Sequence, residues 1–357
     1  MDEPIRILVL GASYGLLPGI KLALAGHKVT FVGRHGEIEA MAKSPLEVEI
    51  PLRKSDEVVS LRAEVADLAA PLTPALRPPA ETDPAEHDFV LLAMQEPHFA
   101  APEIAGLVRQ IAKAEIPCLS IMNLPPPCYL DRLGSIPLEA QEGVYSSGDV
   151  WRQIDPDRIS LACPDAQALR MDPQRPGHLT VTLPSNFKAA PFARQQDQVL
   201  LERLARDMSR LKCVHGEARV RPPVMLLAVP SLFAPLAKWP MLIAGNYRCL
   251  VPGGIRTISQ AVHDDPLETR KVYDQVLTLI RQLGTPERAM VGFDEYSKAA
   301  RRLVRPSSVA RGLAGGARQV ERVDRLVLNL LRYCGLEAGP VEEIVAAVDR
   351  GLAQATS

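Results

Sequence analysis

Short apolar runs and longer stretches of helical spacing alternate along the first half of the chain, and their order predicts its architecture. "IRILVL" is a strand-type run from Ile5 to Leu10, followed by a glycine turn, a helical stretch through Ile20 to Ala25, and a second strand from Lys28 to Val32. "HDFVLLAM", the helical pattern "APEIAGLVRQIAKAEI" and the strand-type run "PCLSIMN" repeat the alternation. Such an order predicts a parallel sheet covered by helices, with ligands bound beyond the carboxyl ends of the strands. Met94, Gln95 and Asn123 fall at those ends.

"HLTVTL" predicts a further strand near Leu179 to Leu183, "DQVLLERLARDMSRL" a helix, and "KCVHGEARVRP" a return to the sheet. After Pro223 the strand pattern fades. The segment around Lys238, "PLETRKVYDQVLTLIRQLG", "VERVDRLVLNLLRYCG" and "PVEEIVAAVDRGLAQA" all have helical spacing. The expected fold class is α/β: a Rossmann-type parallel-sheet domain over residues 1–223 and an all-helical domain over residues 224–357. A length of 357 residues agrees with two domains, since single cores stop growing at roughly 250–300 residues.

Composition removes several classes of function. Lysine and arginine number 41 against 42 acidic residues, with no sustained basic stripe, so a nucleic-acid partner is not expected. The six cysteines contain no C-x-x-C pair and no basic-then-apolar leader precedes the first strand, which reads as reduced thiols in a cytoplasmic protein. The seven histidines show no metal-ligand spacing, so no metal is expected. The most apolar window, "VMLLAVPSLFAPLAKWPMLIAG", carries three prolines and a central lysine, and is read as buried core rather than a membrane span.

Two places carry candidate chemistry. The turn Gly11-Ala12-Ser13-Tyr14-Gly15 lies between strand and helix, where backbone N–H groups receive a dinucleotide pyrophosphate. Serine replaces the usual second glycine, and Gly15 arrives one residue early; an ordinary α/β turn is the alternative. After the second strand comes Gly33-Arg34-His35, with no carboxylate for a ribose. Arg34 there favours NADP through its 2′-phosphate, or is simply an exposed arginine. The other place is Lys238 in "PLAKWPMLIAGNY". Its stem can lie along apolar surface with the ammonium in water, or the ammonium can occupy a cleft as a proton donor.

The strand and glycine turn, "HDFVLLAM", the strand ending in Asn123, the lysine helix with Asn246 eight residues on, and "RPSSVARGLAGGARQVERVD" together resemble the ketopantoate reductases, in that order and over nearly the whole chain. The resemblance implies an NADPH-dependent reductase of a 2-oxo acid, with a Rossmann domain and a helical domain that also forms a homodimer. It implies Lys238 as the catalytic lysine, Asn123 beside the nicotinamide, Ser308 on the substrate carboxylate with Ser307 adjacent, Glu321 on the substrate hydroxyl, and Arg34 on the 2′-phosphate. By themselves, Ser307 and Ser308 also read as a helix cap, and Glu321 as part of a solvated helix face.

The sequence departs from that family at Gln95, usually lysine; at Leu242, usually asparagine; and at Leu124-Pro125-Pro126-Pro127, where the turn after the asparagine is usually glycine. Pro240 is expected to kink the lysine helix or mark its first turn. The expected substrate is therefore a 2-oxo acid or related carbonyl compound bulkier or less polar than ketopantoate. Two alternatives are an NADP-binding sensor or partner-binding protein without the chemistry, and an opine-type dehydrogenase.

Overall fold

The computed structural model describes residues 3–52, 57–64 and 73–356. They form two compact units, the first from the described residues up to 94 with 98–132 and 149–230, the second from residues 95–97, 133–148 and 231–356.

In the first unit the strands are β1 (Arg6–Leu10), β2 (Lys28–Val32), β3 (Leu46–Pro51), β4 (Val58–Ala63), β5 (Ala75–Arg77), β6 (Phe89–Leu92), β7 (Cys118–Ile121), β8 (Ile159–Ala162), β9 (Gln167–Leu169), β10 (His178–Leu183), β11 (Phe187–Ala189), β12 (Cys213–His215), β13 (Ala218–Val220) and β14 (Leu226–Ala228). The main sheet has the order β14-β11-β8-β7-β6-β1-β2-β5. The strands β5-β2-β1-β6-β7-β8 are all parallel, which is the 3-2-1-4-5-6 order of dinucleotide-binding sheets. β6 and β7 are buried at every position, as central strands of a parallel sheet covered on both faces are. The order reverses between β1 and β6, so the crevice at their carboxyl ends is the expected ligand position. A second sheet, β4-β3-β10-β9, packs its apolar residues into the same core.

Helix α1 (Leu16–Leu24) lies unusually close to the sheet. A Cβ on Gly19 would come 2.4 Å from Cε1 of Phe31 on β2, and one on Gly15 would come 2.4 Å from the Gly11 carbonyl oxygen. The same helix carries Lys21, whose side chain is fully buried. Its Nζ donates to the carbonyls of Pro222 at 3.1 Å, of Pro223, and of Val224. Three carbonyls match the three protons of an ammonium. Burial nevertheless lowers the Lys21 pKa to about 7. The cradle holds the backbone where Val224 adopts φ 68° and the chain turns into β14.

The second unit is built mainly of helices whose ends follow their sequence signals. Thr257 and Gln260 form a capping box, and Asp265 caps the helix Pro266–Gln282 ahead of its first-turn proline. That helix buries Thr269, Val272, Tyr273, Val276, Leu279 and Ile280, a stripe at three- and four-residue spacing.

The structure departs from the expected organisation in four respects. β14 joins the main sheet beside β11, so the first unit runs to Pro230 rather than ending near Pro223. Its three residues are hidden inside a longer apolar run. "KCVHGEARVRP" forms a separate hairpin, β12–β13, closed at Gly216 with φ 59°, and does not enter the main sheet. The second unit is not wholly helical: β15 (Leu250–Val251) and β16 (Gly254–Ile255) form a small hairpin. It also takes two excursions from the first half of the chain, residues 95–97 and 133–148. Glu96, fully buried, holds the ends of these excursions together by accepting the Ser147 N–H at 2.7 Å and the Ser146 N–H at 3.1 Å.

Candidate active site

The turn after β1 stands at the point where the strand order reverses. Gly11 has φ 105°, and a Cβ there would lie 2.6 Å from the Ala93 carbonyl oxygen and from Cγ of Met94, just beyond β6. Only glycine fits. The N–H of Gly11 donates to Val32, that of Gly15 to Gly11, and that of Leu16 to Ser13. Among the described residues, the N–H groups of Ala12, Ser13 and Tyr14 meet no protein acceptor. Three successive amides at the N-terminus of α1, around the exposed Ser13, suit a pyrophosphate. The Tyr14 side chain does not: its hydroxyl donates to the Ala166 carbonyl at 2.7 Å and its ring packs edge-on against Phe187.

Gly15 supplies the close helix–strand approach that the third glycine of the usual fingerprint provides, which accounts for its early arrival. Arg170, which the sequence reading missed, braces the turn: its Nη2 donates to the Ala12 carbonyl at 2.7 Å and its Nη1 binds the Glu37 carboxylate. No local pattern could have found it, because its partners lie 158 and 133 residues away.

Arg34 stands at the N-cap position of helix α2 (His35–Met41), just after β2, with its side chain 91% exposed and making no capping bond. Its Nε lies 3.8 Å from Glu37, whose charge Arg170 already matches. Its guanidinium therefore remains open to an anion in solvent. Met94 belongs to the first unit and Gln95 to the second, both half-buried. Asn123 follows β7 by two residues and is half-buried.

The lysine segment is one continuous helical stretch of changing pitch. It begins as a 3-10 turn at Ala234–Lys238, continues as α-helix at Trp239–Met241, widens into a π turn at Leu242–Asn246, and ends as a 3-10 turn at Tyr247–Cys249. Pro240 lies in the first turn of the α segment, as one of the two expectations had it. The preceding 3-10 bond, from the Trp239 N–H to the Leu236 carbonyl, gives that carbonyl the donor that Pro240 lacks. Lys238 and Asn246 are half-buried, while Leu242, between them, is buried.

Around this helix the second unit brings several of the expected residues together. Ser307, 2% exposed, donates its hydroxyl to the Asn246 carbonyl at 2.6 Å and accepts the Ala310 N–H at 3.2 Å, capping the helix Ser308–Ala314. Its hydroxyl proton is thus committed to Asn246. Ser308 follows as the first helical residue, half-buried. Glu321 is 2% exposed rather than part of a solvated face. Tyr247 fixes its backbone by donating to the Glu321 carbonyl and accepting the Val323 N–H at 3.0 Å. Burial pushes the Tyr247 pKa well up, which keeps that donor protonated. On the next residue, Arg322 makes a two-pronged pair with buried Asp324 at 3.0 and 2.9 Å and reaches Asp349 at 2.8 Å.

No protein-family model matches this sequence, and no curated protein matches it. Solved structures do. A 2-dehydropantoate 2-reductase from Methylococcus capsulatus aligns with a TM-score of 0.64 at 14% identity, covering 99% of this chain and 98% of that one. A ketopantoate reductase from Ralstonia eutropha gives 0.63 at 16% identity, covering 99% and 100%. D-mandelate dehydrogenase in a ternary structure with NADH and anilino(oxo)acetate gives 0.64 at 12% identity, covering 99% and 100%. The reversal between β1 and β6, the glycine turn and the lysine helix thus stand in a chain that has, over nearly its full length, the fold of the ketopantoate reductases.

Proposed function

We propose that this protein is an NADPH-dependent reductase of a 2-oxo acid, cytoplasmic and homodimeric, in which Lys238 is the general acid. The observation that carries the nucleotide half is the set of three open amides at Ala12, Ser13 and Tyr14 beside Gly11. These groups hold a pyrophosphate, Arg34 meets the 2′-phosphate, and Met94, Gln95 and Asn123 border the nicotinamide. When bound, reduced nicotinamide supplies the hydride that a carbonyl carbon accepts.

Negative charge then grows on the carbonyl oxygen. The Lys238 ammonium stabilises that charge and transfers a proton to it. Glu321 accepts the resulting hydroxyl, while Asn246 and the Ser308 hydroxyl bind the substrate carboxylate. Ser307 positions Asn246 through its carbonyl. Leu242 replaces a polar neighbour of the lysine with an apolar one, which favours a substrate less polar than ketopantoate. The anilino(oxo)acetate in the D-mandelate dehydrogenase structure, a ligand with an aromatic ring, supports the same direction.

The test is NADPH oxidation across aliphatic and aromatic 2-oxo acids, with the Lys238→Ala variant beside the parent. Removing a general acid should lower kcat by about 10²–10⁴-fold, while NADPH binding followed by nicotinamide fluorescence persists. Unchanged turnover in the variant removes Lys238 from the mechanism. Binding of NADPH without oxidation by any acid removes the reductase reading.

A further inference from the structure

The π turn at Leu242–Asn246 has a visible cause within the second unit. The hydroxyl of Tyr296 donates to the Met241 carbonyl at 3.1 Å, the residue just before the turn. The ring is 5% exposed and stacks on Tyr273 with centroids 5.3 Å apart. Opposite the hydroxyl lies Gly245: a Cβ there would fall 1.9 Å from the Tyr296 oxygen. In a regular α-helix the Met241 carbonyl would receive the Gly245 N–H. Here a side-chain hydroxyl enters at that step, and only a residue without a side chain leaves it room.

The register of the helix follows from this. At 3.6 residues per turn, positions seven apart stand about 20° from alignment, whereas positions eight apart stand about 80° apart. A π turn takes up one extra residue. Lys238 and Asn246 are eight apart, so the wide turn restores them to one face. Burial agrees: the half-buried positions run Lys238, Met241, Asn246, and the step from Met241 to Asn246 is five residues rather than three or four. Ala244 and Gly245, where a regular helix would continue that face, are buried.

We infer that Tyr296 and Gly245 act together as positioning residues, the hydroxyl wedging open the π turn so that Asn246 shares the face of Lys238. The inference rests on the reading of Lys238 and Asn246 as substrate-binding groups, but the wedge itself can be tested apart from it. Tyr296→Phe keeps the stacked ring and removes only the hydroxyl. In a crystal structure of this variant, residues 242–246 should relax toward α-helical bonding, with the Gly245 N–H on the Met241 carbonyl. An unchanged π turn overturns the inference whatever the enzyme does.

Turnover provides the second readout. Y296F should lower kcat/KM about tenfold in the parent and less than twofold in an Asn246→Ala background, because groups that act through one another do not add. Equal losses in both backgrounds would mark Tyr296 as merely structural and overturn its positioning role. If K238A and N246A both leave turnover intact, the active-site reading falls, and with it the functional half of the inference. The crystal structure of Y296F still decides the wedge. Gly245→Ala combined with Y296F removes the clashing oxygen and should give a folded protein with the regular helix; retention of the π turn in that pair also refutes the wedge.

Discussion

Replacing Arg34 with alanine tests how the nucleotide is chosen. A hydrogen-bonded contact to a charged group contributes about 1.5–3 kcal/mol. Arg34 is 91% exposed, however, so solvent and salt reduce the contact to the bottom of that range or below it, about 1–2 kcal/mol. Glu37 subtracts little, because Arg170 matches its charge. At 1.4 kcal/mol per factor of ten, R34A should lower kcat/KM for NADPH roughly 5–30-fold and leave that for NADH within about twofold. The assay is steady-state kinetics with both nucleotides at low and high ionic strength. The parent's preference should weaken with salt, and the variant's should not respond. A preference ratio that R34A leaves unchanged refutes the assignment of Arg34 to the 2′-phosphate.

Gly15→Ala isolates the steric role of the turn, since Gly15 has an ordinary helical φ of −62°. Gly15 is the N-cap of α1, where alanine has no advantage over glycine, and its Cβ meets a backbone oxygen at 2.4 Å, where overpacking typically costs about 1–3 kcal/mol. The urea midpoint should fall for G15A and rise for Gly36→Ala in α2, where nothing lies within 4 Å; a stabilised G15A contradicts the packing argument. Lys21 predicts a pH dependence. Its folded pKa of about 7 lies below its unfolded value of 10.5, so between these values the unfolded chain binds more protons and stability rises with pH. Relative to Lys21→Met, the parent should gain on the order of 1–3 kcal/mol between pH 7 and 9, read from urea melts at each pH. Parallel pH profiles would show that Lys21 keeps its ordinary pKa.

The sequence made the parallel sheet and its glycine turn legible because β1 and β6 are largely apolar runs and Gly11 follows β1 at a defined place. Lys238 stood out because a charge among apolar residues needs a reason. Strands of three residues, such as β5, β9, β11 and β14, leave no periodic signal; they are fixed by pairing, which is a tertiary property. The same holds for the braces of the site. Tyr296 meets Met241 from 55 residues away, and Tyr247 meets Glu321 from 74. Each is an unremarkable tyrosine until the fold supplies its acceptor. The change of pitch from Ala234 to Cys249 was equally hidden, since one apolar pattern serves 3-10, α and π turns alike.

The chain's path sets the order in which it can be completed. Asn329, on the helix Val323–Tyr333, donates its side-chain amide at 3.0 Å to the carbonyls of Ala140 and Glu142, nearly two hundred residues earlier. A ribosome must therefore release the last third of the protein before the excursion at 133–148 can find its seat. A fragment beginning at Ser231 would lack that piece altogether, leaving the amide of Asn329 to water and its helix without the chain that covers it.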